Sequence, residues 1–296
     1  MTAPTAAPHH ILLATDLGSR CDRALDRALQ SARQWQARLV ALTVVEPGAE
    51  ASPYPVPPRI GGASSGSSAR ALAERRLRTD LADEEMPPAV RVEQGPVADT
   101  ILAVAAAEGS ELIVTGVARN ESLSRIVLGS AVDALARRSP VPLLVVRSRP
   151  RTPYRRVTVA VDFSPSSRRA LETAAALFPE AEATLFHAFD TPYPARAGVD
   201  RAQALDTGHE LARREAETFL QGSVLPDGWR ARMQMSLQHG DAALLMHERS
   251  LARPDELVVV GTQRRGALIG LLIGSVAQRI LELSEGDVLV VPRPEA

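Results

Sequence analysis

Residues 111 to 116 read ELIVTG, and 145 positions later residues 256 to 261 read ELVVVG. The match extends outward in both directions. Upstream, HILLATD from His10 to Asp16 returns as VTVAVD from Val157 to Asp162. Downstream, Leu128, Gly129 and Ser130 return as Ile273, Gly274 and Ser275, and the run Val141 to Val146 (VPLLVV) returns as Asp287 to Val291 (DVLVV). A period this long is that of a whole domain, because solenoid repeats run to roughly 20–50 residues. The chain therefore reads as a tandem duplication joined near the Arg- and Pro-rich stretch Ser148 to Tyr154, with domains at 1–149 and 150–296.

Each half alternates short apolar runs with longer amphipathic segments. In the first half, strands are expected at Ile11–Thr15, Leu39–Val45, Val90–Glu93, Leu112–Thr115 and Leu143–Val146. Helices are expected near Ser19–Gln36, Ala69–Glu85, Ala98–Glu108 and Ser130–Arg138. In the second half the strands fall near Arg155–Val161, Ala183–Phe189, Arg230–Leu237, Leu257–Val260 and Val288–Val291. Unbroken Val, Ile and Leu runs suit strands buried on both faces of a parallel sheet. Ser19, Asp99 and Ser164 are candidate helix caps, the last because Pro165 follows it at the first helical position. The fold class is α/β, two doubly wound domains of five parallel strands with helices on both faces. The Pro/Gly/Ser-rich stretch Glu46–Ser68 reads as a mobile surface loop, and its counterpart around Thr191–Gly198 is shorter.

Composition narrows the chemistry. The 296 residues include 34 basic side chains, every one of them arginine, against 35 acidic ones. Without lysine there is no Walker-A phosphate loop, no protein-kinase strand lysine and no Schiff-base amine. A net charge of -1 lacks the basic field of a protein that coats nucleic acid or acidic membranes. Cys21 is the only cysteine, the start MTAPTAAPHH lacks the pattern of a signal peptide, and no apolar run approaches the 18 or so residues of a membrane span. These features point to a cytoplasmic protein.

In an open parallel sheet, ligands bind outside the carboxyl ends of the strands, at the point where the winding reverses. Asp16 and Asp162 end the first strand of each half, where a carboxylate either accepts from a ligand or caps the next helix. After the fourth strand come Gly116, two residues, Arg119, nine residues, then Gly129 and Ser130. Gly261, Arg264, Gly274 and Ser275 repeat that spacing. Glycines allow backbone to approach a phosphate, and a Gly-Ser at a helix start offers N–H groups and a hydroxyl to an anion.

With these loops the chain resembles the universal stress protein family over nearly all of both halves. The resemblance implies a strand order of 3-2-1-4-5 and an adenine nucleotide such as ATP, with Mg2+ as a possible companion, bound without a conventional phosphate loop. Asp16 and Asp162 match the family's adenine-side aspartate, and Val44 and Ala188 fall near its second-strand ribose and adenine contact. Gly116, Gly129 and Ser130, with Gly261, Gly274 and Ser275, match its phosphate loop. Arg119 and Arg264 stand where that loop has its second glycine. A side chain there either blocks the backbone approach or pairs with phosphate oxygens as a charged fork; Gly266 lies two positions beyond the second arginine.

The resemblance further implies pairing of domains or subunits through the last strands, Leu143–Val146 and Val288–Val291, and a homodimer of such chains. The expected function is regulatory, a bound nucleotide altering contacts with protein partners under stress. The alternatives are a scaffold of the same fold without nucleotide, or a slow ATPase, which lacks an evident general base.

Weaker signals remain. Residues Gly62 to Gly66 fit the written pattern of a hydrolase nucleophile elbow without the strand it needs. His239 and His247 are eight apart on a helix-like stretch, with His187 on a strand, but no metal-ligand spacing joins them. Cys21 near a helix start is a redox candidate set against an ordinary thiol. The pairs Arg137–Arg138, Arg168–Arg169 and Arg264–Arg265 read as solvated faces. Ser130 and Ser275 are candidate phosphoryl acceptors, though anion binding suits them better.

Overall fold

The computed structural model describes residues 7–18, 21–46, 65–84, 87–117, 128–191, 201–262 and 274–293. The first half runs β1 (His10–Ala14), α1 (Asp22–Trp35), β2 (Arg38–Val45), α2 (Ser65–Asp80), β3 (Ala89–Gln94), α3 (Val97–Ala107), β4 (Leu112–Gly116), α4 (Ser130–Arg138) and β5 (Leu143–Val146). The second runs β6 (Arg156–Ala160), α5 (Pro165–Leu177), β7 (Glu182–Phe189), α6 (Arg201–Gln221), α7 (Asp227–Arg232), β8 (Gln234–His239), α8 (Ala242–Ala252), β9 (Leu257–Gly261), α9 (Ser275–Leu283) and β10 (Val288–Val291).

The ten strands form one sheet in the order β3-β2-β1-β4-β5-β10-β9-β6-β7-β8. Within each half every pairing is parallel. The halves meet where β5 and β10 run antiparallel, with Val145 opposite Val288, Leu144 opposite Leu289 and Leu143 opposite Val290. Leu144 and Leu289 are themselves repeat equivalents, so a local two-fold axis passes through that pair and the contact is self-complementary. This confirms the pairing expected of the last strands and places it inside one chain. The carboxyl ends of the strands in one half therefore face away from those in the other.

Successive strand residues point to opposite faces, and the apolar runs split accordingly. Ile11, Leu13, Val157, Val159, Leu144 and Leu289 pack on one face beneath α1, α2, α5 and α6. Leu12, Ala14, Val258, Val260, Leu143 and Val290 pack on the other beneath α3, α4, α8 and α9. Both cores continue across the β5–β10 joint.

Several boundaries move relative to expectation. Residues 230–232 close α7, so the strand there starts at Gln234 instead of Arg230. Buried Trp229 explains this, because its ring fills the core and its Nε1–H donates to Phe178 O at 3.0 Å. Asp99 is not a cap, since Pro96 holds the N-cap position of α3. Ser164 does cap α5, its hydroxyl accepting from Ser167 N at 3.2 Å. Ser19 lies outside the described residues. His239 ends β8 while His247 lies in α8, so the two are not on one helix. Arg137 is not simply a solvated face, for it clasps Asp133 and reaches Gln278 of the other half at 3.0 Å.

The segment between the halves is anchored by a buried carboxylate. Asp287, 1% exposed, accepts from Arg147 N and Ser148 N at 2.8 Å each and from the Tyr154 hydroxyl at 2.5 Å. Arg27 approaches it at 3.6 Å, donates to Thr152 O at 3.0 Å and lies 3.9 Å over the Tyr154 ring. Burial, then the neighbouring Asp287 carboxylate, hold the Tyr154 hydroxyl protonated well above its usual range. Replacing Asp287 by Ala strips these donors of their acceptor and leaves Arg27 uncompensated. A loss of about 3–5 kcal/mol is expected, the cost of breaking a buried pair from one side, measured by chemical denaturation.

Candidate functional site

The first strand of each half delivers its aspartate to the carboxyl edge, and the first task of that aspartate is structural. Asp16 Oδ1 accepts from Gly18 N at 2.8 Å and Asp162 Oδ1 from Ser164 N at 3.1 Å. Each thereby closes a side-chain turn over a left-handed residue, Leu17 at φ 59° and Phe163 at φ 60°. Non-glycine residues in that region are uncommon, and their repetition shows that the bend is part of the design of both halves. Burial disfavours the Asp162 carboxylate, but donation from Ser164 and Ser167 outweighs it and holds the group below the usual carboxylate range.

In the second half the expected residues converge. A crevice of about 430 Å³ opens at the carboxyl ends of β6, β7 and β9, where the winding reverses on either side of β6. Asp162, Ala188, Gly261, Gly274 and Ser275 all line it, and Ala160, Phe186, Val260 and Ile280 give it an apolar floor. That size and lining suit a flat heterocycle with a few polar attachments. Two bonds tie α8 to α9, the helices that carry Ala242 and Ser275 to Ala277 to the crevice: Arg279 pairs with Asp241 at 2.7 Å, and the His247 ring meets Leu283 O at 2.7 Å. In the first half the same elements bring Asp16, Val44, Gly116, Gly129 and Ser130 to the carboxyl edge. Arg119, Arg264, Gly266 and residues 62–64 of the elbow-like stretch lie outside the described residues.

At the two phosphate-loop candidates no side-chain cap bond closes the helix start among the described residues. Gly129 caps α4 and Gly274 caps α9, both in extended conformation. The first helical backbone bonds come from Asp133 N to Gly129 O at 3.0 Å and Gln278 N to Gly274 O at 2.9 Å. The earlier N–H groups of each helix therefore point out of its end, a ready site for an anion.

The motif glycines differ in their physical reasons. A Cβ at Gly261 would lie 2.5 Å from Ser166 O, because α5 packs its first turn directly on the end of β9. A Cβ at Gly274 would meet nothing within 4 Å. The first glycine is needed by the fold, whereas the second leaves open space at the mouth of the crevice.

Residues outside the motif also shape the site. His187 lines the crevice, stacks on Phe163 with ring centroids 4.2 Å apart, and bonds through Nδ1 to Val161 O at 2.8 Å. Its first-half equivalent, Thr43, donates Oγ1–H to Thr15 O at 2.7 Å. Neither role is visible in a motif; aligning the two halves strand by strand would have drawn attention to the pair. Ser167 and Cys21 are likewise equivalents. Burial, followed by hydrogen bonding to Asp16, pushes the Cys21 thiol up to about 11, which argues against the redox reading. Among the described residues no group of three or more His, Cys, Asp or Glu side chains is arranged to hold a metal ion, and no helix is long and apolar enough to cross a membrane.

A sequence model of the universal stress protein family matches the chain twice, over residues 8–147 and 153–292. A universal stress protein of Mycobacterium tuberculosis (strain H37Rv) is 30% identical over 196 residues, a match spanning 61% of this chain and 61% of that protein. One from Mycolicibacterium smegmatis is 24% identical over 310 aligned positions, 97% of this chain and 98% of its own length. The crystal structure of a functionally unknown protein from Pseudomonas aeruginosa shares the fold, with a TM-score of 0.66 at 23% identity over 97% of this chain and 93% of that one.

Two outcomes are expected from this geometry. Gly261→Ala destabilises the protein by about 1–3 kcal/mol, the usual cost of overpacking, seen as a lowered denaturation midpoint. Cys21 resists thiol reagents at pH 7–8 in the native protein and reacts once denaturant is added.

Proposed function

The chain belongs to the universal stress protein family, and on that premise we propose that its second half binds an adenine nucleotide such as ATP and acts as a regulator through nucleotide-dependent contacts with protein partners. The observation that carries this reading is the crevice itself, in which all five described second-half positions that match the family's nucleotide contacts come together over an apolar floor.

The residues fit such a ligand. Gly274 supplies a cradle that a side chain would fill, and the uncapped start of α9 offers N–H groups with a favourable dipole to the phosphates. Ser275, the exposed first residue of that helix, adds a hydroxyl. Small Ala160 and Ala188 leave room for the base, and Asp162 stands at the exit of β6. The first half presents the same positions, Asp16, Val44, Gly116, Gly129 and Ser130, and is assigned the same ligand class. No catalytic group is assigned. Because β5 and β10 already pair within the chain, a homodimer would use a different surface.

A scaffold without nucleotide is the competing reading, and one observation favours it: packing against α5 accounts for Gly261 with no ligand. Gly274→Asp separates the two readings. An aspartate is a better helix cap than glycine, so stability should hold or rise by a few tenths of a kcal/mol. Its carboxylate would occupy the N–H groups meant for phosphate and repel the anion. Calorimetric titration with ATP should show binding by the native protein and at least a tenfold weaker affinity in the variant. Absence of ATP binding by the native protein at millimolar concentration, with no nucleotide released on denaturation, would establish the scaffold.

A further inference from the structure

The sheet divides between its first and second strands in both halves, and different side chains hold the division. In a parallel ladder one residue on the first strand donates its N–H to a carbonyl of the second and accepts, at its own carbonyl, the N–H two residues further on. Val161 N donates to Phe186 O at 2.9 Å, so an uninterrupted ladder would continue with Ala188 N donating to Val161 O. That bond is not made. Val161 O instead receives His187 Nδ1 at 2.8 Å. The first half repeats the arrangement: Thr15 N donates to Leu42 O at 2.9 Å, Val44 N makes no bond to Thr15 O, and Thr15 O receives the Thr43 hydroxyl at 2.7 Å.

Strand alternation fixes what is left over. Phe189 O accepts from Gly240 N and thus faces β8, so Phe186 and Ala188 present their backbone groups toward β6. Past the fork, the chain leaving β6 turns away through Asp162 and the left-handed Phe163. Ala188 N–H is left facing the crevice that Ala188 lines.

We propose that His187, with Thr43 as its first-half counterpart, is a positioning residue: its side chain occupies the Val161 carbonyl, the first beyond β6, so that the Ala188 N–H remains available to the ligand. Because a carbonyl only accepts, Nδ1 carries the proton in this bond. Phe163 stacked on the imidazole keeps the ring in place. An imidazole and a hydroxyl have little in common beyond a donor of suitable reach, and finding both at this position ties the role to the donated bond. The inference rests on the nucleotide reading for the identity of the ligand, but the fork is a property of the free protein.

Residue-resolved amide exchange and ATP titration on the full chain test the two parts separately, comparing the native protein with His187→Val and His187→Thr. Valine suits a strand but cannot donate, so Val161 O should recapture Ala188 N–H. The Ala188 amide then exchanges at least tenfold more slowly in His187→Val without nucleotide, and ATP affinity falls at least tenfold. Threonine, the first half's own solution, restores fast exchange and affinity. Equal Ala188 exchange in the native protein and His187→Val, or an amide already protected in the ligand-free native protein, would overturn the proposal. Should exchange behave as described while the native protein fails to bind ATP, the fork stands and the nucleotide reading falls.

Discussion

The antiparallel ladder between β5 and β10 closes the one backbone edge that each half would otherwise expose beside an apolar strand. Leu143, Leu144, Val145 and Val146 are each no more than 1% exposed, and Val288 to Val291 no more than 2%. Residues of this kind contribute about 1.5–3 kcal/mol each when buried instead of solvated. An uncovered strand of that composition would also be a template for aggregation. Pairing through repeat equivalents solves both problems at once and makes the two cores continuous. It also turns the carboxyl edges of the halves in opposite directions. The second-half crevice is accordingly lined, among the described residues, by second-half side chains alone.

Symmetry at the joint does not extend to its flanks. The connection from Arg147 to Tyr154 lies against α1, held by Asp287, whose repeat equivalent is Pro142. Arg23 donates to Arg147 O at 2.6 Å and Arg27 to Thr152 O, while their counterparts on α5 are Arg169 and Thr173. One side of the two-fold has thus acquired a buried charged cluster that fastens the halves together. A duplicated fold needs such a device only where the connection runs, and that is where it is found. Buried charge is weak support for stability by itself. Here it fixes which backbone groups the connection presents to the core.

The fold was legible because β1, β2, β4, β5, β9 and β10 are largely apolar on both faces, and such a run of four or five positions has few alternatives beside helical stretches of ordinary length. Edges and ends were less so. The strand β8 carries Gln234, Ser236 and Gln238, is half exposed at the margin of the sheet, and so gave no contrast with the short helix before it. Asp16, Asp162 and the glycine loops were visible through repetition at fixed spacing. The His187 and Thr43 bonds were not, because a donor to a backbone carbonyl leaves no pattern in one copy and takes two unrelated forms in two.

Gly261 and Gly274 belong to one motif and yet answer to different forces. At Gly261 the backbone of α5 comes within 2.5 Å of where a side chain would begin, so the folded chain alone excludes every other residue. At Gly274 φ is -54° and no described atom lies within 4 Å of where a side chain would begin, so neither strain nor packing among the described residues calls for glycine. A motif match treats the two as equal witnesses to a phosphate. Physically only the second testifies, because a requirement already met by the protein says nothing about a ligand. The same division applies to Asp162, which the turn over Phe163 would call for in any case. What distinguishes a binding crevice from a well-closed strand end is thus the set of groups the fold leaves unused: the open start of α9, the space beside Gly274, and the backbone N–H that His187 keeps out of the ladder.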